Sequence, residues 1–157
     1  MEQEARICCF TGHRRIEPER MKRLYEELSR TLDVLLSQGV YHFRTGGALG
    51  FDTLAALAIL DRKPAYPQLH LELCLPCRDQ ADRWNNHQKS FYHHVLEEAD
   101  SVTYVSQVYT PYCMFARNRR LVDGADICVA YLKHSEGGTA YTVNYANQKK
   151  VEVINIA

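Results

Sequence analysis

Apolar runs of strand length alternate with helical patterns along the whole chain, and this alternation restricts the fold more than any other feature. The strand-like runs are Arg6–Thr11, Val40–Thr45, Leu69–Leu75, Ser101–Ser106, Asp126–Leu132 and Val151–Ile156. After the first run, Met21, Leu24, Leu28, Leu32 and Leu35 recur at helical intervals, with Pro18 suited to the opening turn and Gly39 to the end. Further helices are expected over about Phe51–Arg62, within Gln80–Ala99 in two pieces, over about Met114–Asp123, and from Thr139 to about Lys149. The pattern predicts an α/β fold: one doubly wound, Rossmann-like domain with a mostly parallel sheet. At 157 residues the chain makes a single domain, 1–157.

The strands differ in how they alternate. Ile7-Cys8-Cys9-Phe10 and Ile127-Cys128-Val129-Ala130 are continuous apolar runs, as expected of strands covered on both faces. Leu69, Leu71, Leu73 and Leu75 instead alternate with His70, Glu72 and Cys74, and Val151 and Val153 flank Glu152. Reading the two alternating strands as edges gives the strand order 3-2-1-4-5-6. Ligands would then bind at the carboxyl ends of the strands, beside the switch between strands one and four.

Charge narrows the function. The 19 Lys and Arg balance 19 Asp and Glu, so the chain lacks the basic excess of a non-specific binder of nucleic acid or membrane surfaces. No stretch approaches the roughly 18 apolar residues of a membrane span. The opening Met1-Glu2-Gln3-Glu4 is acidic, so no signal peptide is expected and the cytoplasm is the expected compartment. Six cysteines suit a reducing environment, with Cys8, Cys9 and Cys128 read as small hydrophobes. Cys74-Leu75-Pro76-Cys77 has no second pair to complete a tetrahedral site, so neither zinc nor a disulfide is expected there, and no cofactor is implied.

The chemistry gathers at the predicted carboxyl ends. Strand one runs into Thr11-Gly12-His13-Arg14, and strand two into Gly46-Gly47-Ala48-Leu49-Gly50-Phe51-Asp52. Strand four leads to Tyr109, Tyr112, Arg117 and Asn118, and strand five to Glu136-Gly137-Gly138-Thr139. Two glycine-rich helix starts near several arginines make an anion site, since bare N–H groups and guanidinium forks both bind phosphate. The simplest ligand is a phosphorylated nucleotide derivative. Gly46-Gly47-x-x-Gly50 is neither a dinucleotide fingerprint nor a Walker loop. Arg119 and Arg120 read as solvated helix residues, Trp84 as helix packing rather than a stacking platform, and His93-His94 as surface histidines.

The motifs Thr11-Gly12-His13-Arg14, Thr45-Gly46-Gly47-x-x-Gly50-x-Asp52, Pro76-x-x-x-Gln80-x-x-x-Trp84, Arg117-Asn118-x-x-Leu121-Val122-Asp123-x-x-Asp126 and Glu136-Gly137-Gly138-Thr139 occur in this order. The set resembles the YpsA-like branch of the SLOG superfamily, the Rossmann-like group that includes DprA and the LONELY GUY phosphoribohydrolases. The resemblance implies a nucleotide-derived ligand held by Thr11, Gly12, His13, Arg14, Gly46, Gly47, Gly50, Asp52, Arg117, Asn118, Gly137, Gly138 and Thr139. It also brings an N-glycoside hydrolase alternative, in which Met114-Phe115-Ala116-Arg117 resembles the family's arginine motif and Asp52, Arg117 and Glu136 would be the catalytic candidates. The glutamate expected after the Gly-Thr pair is replaced by Thr142, or by Asn144 in the other alignment. Binding or sensing is therefore favoured over catalysis. A DprA-like single-stranded nucleic-acid role is a third reading, set aside on the zero net charge. A homodimer or larger assembly is expected, paired through the tyrosine-rich segment Tyr104–Tyr112.

Overall fold

In the computed structural model, which describes residues 6–157, six strands and five α-helices alternate; the acidic opening Met1–Glu4 lies outside those residues. Strand β1 (Ile7–Gly12) leads to α1 (Pro18–Ser37), β2 (His42–Thr45) to α2 (Phe51–Arg62), and β3 (His70–Leu75) to α3 (Asn86–Glu98). Then come β4 (Ser101–Tyr104), α4 (Cys113–Val122), β5 (Ile127–Tyr131), α5 (Gly138–Gln148) and β6 (Glu152–Asn155). Helix α1 starts on Pro18 and buries Leu24, Leu28, Leu32, Leu35 and Leu36 on one face, the stripe its spacing demands. Within Gln80–Ala99 only the second piece is α-helix. It opens on a capping box, in which Asn85 Oδ1 accepts from Gln88 N–H at 2.8 Å and Gln88 Oε1 accepts from Asn85 N–H at 3.0 Å.

All strand pairs are parallel, in the order β4-β3-β2-β1-β5-β6. The doubly wound class and the run 3-2-1 beside 5-6 are as expected, and β6 is an edge. Strand β4 differs: it lies outside β3 rather than between β1 and β5, so the chain reverses direction between β1 and β5. The alternation of β3 misled for a specific reason. Its polar side is not wet; Glu72 and Cys74 are buried under α4. The edge strand β4 is shorter and leaves Val102 exposed.

Parallel crossovers that change direction at β1 place helices on both faces. Helices α1, α2 and α3 cover one face over a large apolar cluster that includes Phe10, Phe43, Phe51, Leu71, Leu73 and Val129. Helices α4 and α5 cover the other over a small cluster of Cys9, Cys74, Leu121, Val122, Cys128, Ala146 and Val151. The cysteines serve there as small buried hydrophobes.

Beside that small cluster lies a buried ionic layer. Glu72 accepts from His42 Nε2 at 2.8 Å, from Arg44 Nε at 3.1 Å and from Arg120 Nη2 at 2.8 Å. Arg44 also donates to the carbonyls of Asp123 at 2.6 Å and Leu121 at 3.3 Å, which capture the carboxyl end of α4. Arg120 is thus half-buried: its side chain is 35% exposed, and its guanidinium is tied to Glu72.

Candidate functional site

In a sheet with this order, the crevice lies at the carboxyl ends of β1 and β5, where the winding reverses. The loop after β1 and the loop after β5 are clasped across that crevice by His13. Its Nε2 accepts from Lys133 N–H at 2.9 Å, and its ring stacks on His134 at 4.1 Å. Burial and the neighbouring His134 and Lys133 hold its pKa below the ordinary 6.5, so the ring is neutral and Nε2 is free to accept. Arg14, next along, is exposed.

Helix α2 is held against the same loop. Phe51 N–H donates to the His13 carbonyl at 3.1 Å, and a Cβ on Gly12 would run into the Phe51 ring. Gly50 abuts the backbone of Arg14 and needs its positive φ of 76°. Gly47, at φ 68°, faces Leu75, Gln80 and Tyr92. These glycines permit close approach of protein to protein.

Gly46 sits between two buried charges. A Cβ there would lie 2.6 Å from Arg117 Nη1 and 2.8 Å from Asp52 Oδ2. Arg117 and Asp52 are each only 5% exposed. Arg117 donates through Nη1 to the Gly46 carbonyl and through Nε to Asn118 Oδ1 at 2.9 Å. Asp52 Oδ2 accepts from Ala48 N–H at 3.1 Å. Burial pushes the Asp52 carboxyl up, against the pull of Arg117, the Ala48 N–H and Arg14. Two cations, Arg14 and Arg117, therefore act on one buried carboxyl.

The two glycine-led helix starts are not equivalent. The first N–H of α2 is used by His13, and its first turn carries Asp52. Helix α5 is preceded by Gly137 at φ 95° as its N-cap, with no side-chain cap and no acid in the first turn. Among the described residues the N–H groups of Gly138, Thr139 and Ala140 have no acceptor. Asn118 lines this start, with Nδ2 3.5 Å from where a Gly138 Cβ would be. Thr139 is buried, and so is Thr11 at the end of β1. Glu136 is exposed on the approach loop.

The position of the missing glutamate is filled by groups turned elsewhere. Thr142 is wholly buried and donates to the Gly138 carbonyl at 2.8 Å, while Asn144 faces solvent. Cys74 and Cys77 are free thiols with different neighbours, Glu72 for Cys74 and Asp79 and Cys113 for Cys77. Cys74 donates to Glu72 Oε2 at 3.5 Å, and burial pushes both thiols up to about 12, so both are protonated at neutral pH.

Sequence reasoning named Trp84 as helix packing and passed over its partner at this edge, Tyr92. Trp84, just ahead of α3, meets Tyr92 edge-on, with centroids 5.3 Å apart. Together with Asp52 and Gly47 they line a pocket between α2 and α3. The motif spacing Gln80-x-x-x-Trp84 was the only signal for it.

Among the described residues no helix is long and apolar enough to cross a membrane. Solved structures of DNA processing protein A share the fold. DNA processing protein A from Helicobacter pylori, in a study of its single-stranded DNA binding mode, is 18% identical at a TM-score of 0.65, covering 94% of this chain and 63% of that one. DNA processing protein A (DprA) from Streptococcus pneumoniae is 15% identical at a TM-score of 0.70, covering 96% and 50%. The chain thus spans about half to two thirds of these neighbours. The expectation that nucleic acid is no partner draws no support from them. Among sequence relatives, the uncharacterized SPbeta prophage-derived protein YoqJ of Bacillus subtilis (strain 168) is 28% identical over 141 residues, 82% of each chain. A UPF0398 protein of Bacillus pumilus (strain SAFR-032) is 28% identical over 123 residues, 76% of this chain and 66% of that one. The YspA SLOG family (YpsA) matches residues 8–156, and the chain belongs to that family.

Proposed function

We propose that the protein binds a phosphorylated, nucleotide-derived small molecule at the carboxyl ends of β1, β2 and β5, with a phosphate on the first turn of α5. The open start of α5 carries this reading: three unpaired N–H groups, a positive helix end and no acid, at the point where the winding reverses. Gly137, Gly138, Thr139 and Asn118 form the phosphate seat. Arg14 and Arg117, set against the single carboxyl of Asp52, leave positive charge beside it. Arg117 acts chiefly by holding the Gly46 loop in place, while Thr11, Gly12, His13, Gly47 and Gly50 shape the walls.

The arrangement supports binding better than glycoside hydrolysis. Thr142 is turned into the helix, Glu136 lies in solvent, and among the described residues Asp52 is the buried carboxyl beside Arg117. The test is a thermal-shift series with nucleoside monophosphates, nucleotide sugars and nicotinamide nucleotides. A ligand at 100 times its dissociation constant is expected to stabilise the protein by about 2.7 kcal/mol. Gly138→Val should abolish the shift while the protein stays folded, and no free base should be released. Rapid base release that Asp52→Asn removes would instead favour the hydrolase.

Single-strand binding is a second reading, favoured by one observation. Val108, Tyr109, Tyr112 and Phe115 are exposed on the β4–α4 segment, 43–76% each, next to the arginines of α4. Bases stack on such side chains. A steep fall of affinity with salt, reflecting many phosphate contacts, would mark a strand; a shallow one marks a small nucleotide.

A further inference from the structure

The loop from β5 to α5 is held at its root from two sides by different chemistry. On one side Asn155 of β6 grips Leu132. Its Oδ1 accepts from Leu132 N–H at 3.1 Å, and its Nδ2 donates to the Leu132 carbonyl at 3.0 Å. A side-chain amide does not titrate, so this grip holds at every pH. On the other side Lys133 N–H donates to His13 Nε2 at 2.9 Å. An imidazole nitrogen accepts only while the ring is neutral, so this grip is conditional. From there to α5 the loop is exposed throughout, residues 133–138. Among the described residues it adds only a local bond, His134 Nδ1 donating to the Glu136 carbonyl at 3.2 Å.

The surroundings of the His13 ring all work against a proton on it. The ring lies flat on His134, at 4.1 Å and 10°, and meets Tyr131 edge-on at 5.9 Å. The Lys133 ammonium stands over the same Tyr131, and Arg14 and Arg15 follow His13 on its own loop. The acids nearby are engaged elsewhere. Asp52, in the first turn of α2, accepts from Ala48 N–H, and Glu17, ahead of α1, pairs with Arg20. Glu136 meets His134 through its backbone carbonyl. Burial, His134 and Lys133 lower the pKa of the ring below 6.5, and no carboxylate offsets them. A lowered folded pKa means that the grip is fully present above 6.5 and is lost as the pH falls through the folded value.

We propose that the β5–α5 loop is a pH-operated flap, hinged on Asn155 and caught by His13, which presents the first turn of α5 to its phosphate at neutral pH and withdraws it in acid. This rests on the phosphate reading above and adds its regulation. A proton on Nε2 sets two donors, ring N–H and Lys133 N–H, against each other. It also places a cation against His134 and beside Lys133. The Lys133 bond breaks, the Leu132 bonds stay, and the exposed residues between them and α5 swing free.

The full chain, labelled with ¹⁵N, is first followed without ligand from about pH 7.5 to about pH 5.5, the span in which histidine changes charge. The Lys133 amide should titrate together with the His13 ring, and the amides of residues 134–138 should gain fast motion. The Leu132 amide should stay rigid. In His13→Gln the side-chain oxygen accepts at both ends of the range, so the Lys133 amide should not titrate. AMP is then titrated at both pH values. Wild-type affinity should fall several-fold more than that of His13→Gln, with a ceiling of about tenfold per pH unit for one proton. Comparing the two falls removes the titration of AMP itself. A Lys133 amide that ignores His13, or equal falls in the two proteins, would overturn the flap and leave the phosphate seat standing. AMP that binds at neither pH counts against the nucleotide reading, while the Lys133 titration, which needs no ligand, still decides the catch.

Discussion

Gly46 and Gly138 look alike as letters and differ in what surrounds them. Gly46 is wedged between Arg117 and Asp52, so a methyl group there must displace buried charged side chains. Gly138 meets only Asn118, at ordinary contact distance. Gly46→Ala is expected to cost about 1–3 kcal/mol of stability, the usual range for overpacking, whereas Gly138→Ala should leave stability within about 0.5 kcal/mol, as for an unconstrained surface change. Urea unfolding of the two variants checks this, and equal losses would show that the loop after β2 yields. Asp52 adds a sign. Its folded pKa is raised because burial outweighs Arg117, so its own ionisation opposes folding; Asp52→Asn keeps an acceptor for Ala48 N–H but leaves Arg117 buried without its counter-charge, and should cost stability at neutral pH, less than the loss of a carboxylate whose folded pKa is depressed.

Among the elements, α4 depends most on charge. Arg44 of β2 captures its carboxyl end, and Glu72 of β3 binds both Arg44 and Arg120. Burial alone would raise the Glu72 pKa. The His42 hydrogen bond and the two arginines outweigh it and hold the carboxyl below its ordinary 4.5. A depressed folded pKa means that stability is present above the unfolded value and is lost as the pH falls through the folded one. Glu72→Gln is expected to cost about 3–5 kcal/mol at neutral pH, because Arg44 stays buried without its counter-charge. The variant's melting temperature should then vary less below pH 4.5 than that of wild type. An unchanged acid limb in a pH series of thermal scans would rule this out.

That layer also shows where sequence stops informing. Leucines alternating with His70, Glu72 and Cys74 produce the same pattern whether the polar side is wet or buried beneath a helix, so β3 read as an edge. The glycine loops were legible, because glycines directly after strands mark tight, close-approach geometry. Which of the two helix starts is open was not, because it turns on His13 accepting from Phe51. The pocket was hidden for a similar reason: Asp52 and Tyr92 lie forty residues apart and meet only when α3 packs on α2.

At the scale of the molecule, a chain of zero net charge brings Arg14 and Arg117 to the carboxyl ends of the strands and leaves an apolar patch exposed between β4 and α4. Val108, Tyr109, Tyr112 and Phe115 make the kind of aromatic patch enriched in interfaces. We expect two copies to pair through it. Light scattering at micromolar concentration should give twice the 18.1 kDa chain mass, falling to one chain on Tyr109→Asp with Tyr112→Asp. Wild type that remains a monomer throughout would leave the patch to strand binding.

The central claim is that a nucleotide phosphate rests on the first turn of α5, and backbone amides report it directly. In a ¹H–¹⁵N correlation spectrum titrated with the nucleotide that stabilises the protein best, the amides of Gly138, Thr139 and Ala140 should move first and furthest. The side-chain amide of Asn118 should follow, while the amide of Phe51, already bonded to His13, moves little. Shifts centred on the start of α2 with α5 unmoved would contradict the account and return Gly137 and Gly138 to being a turn.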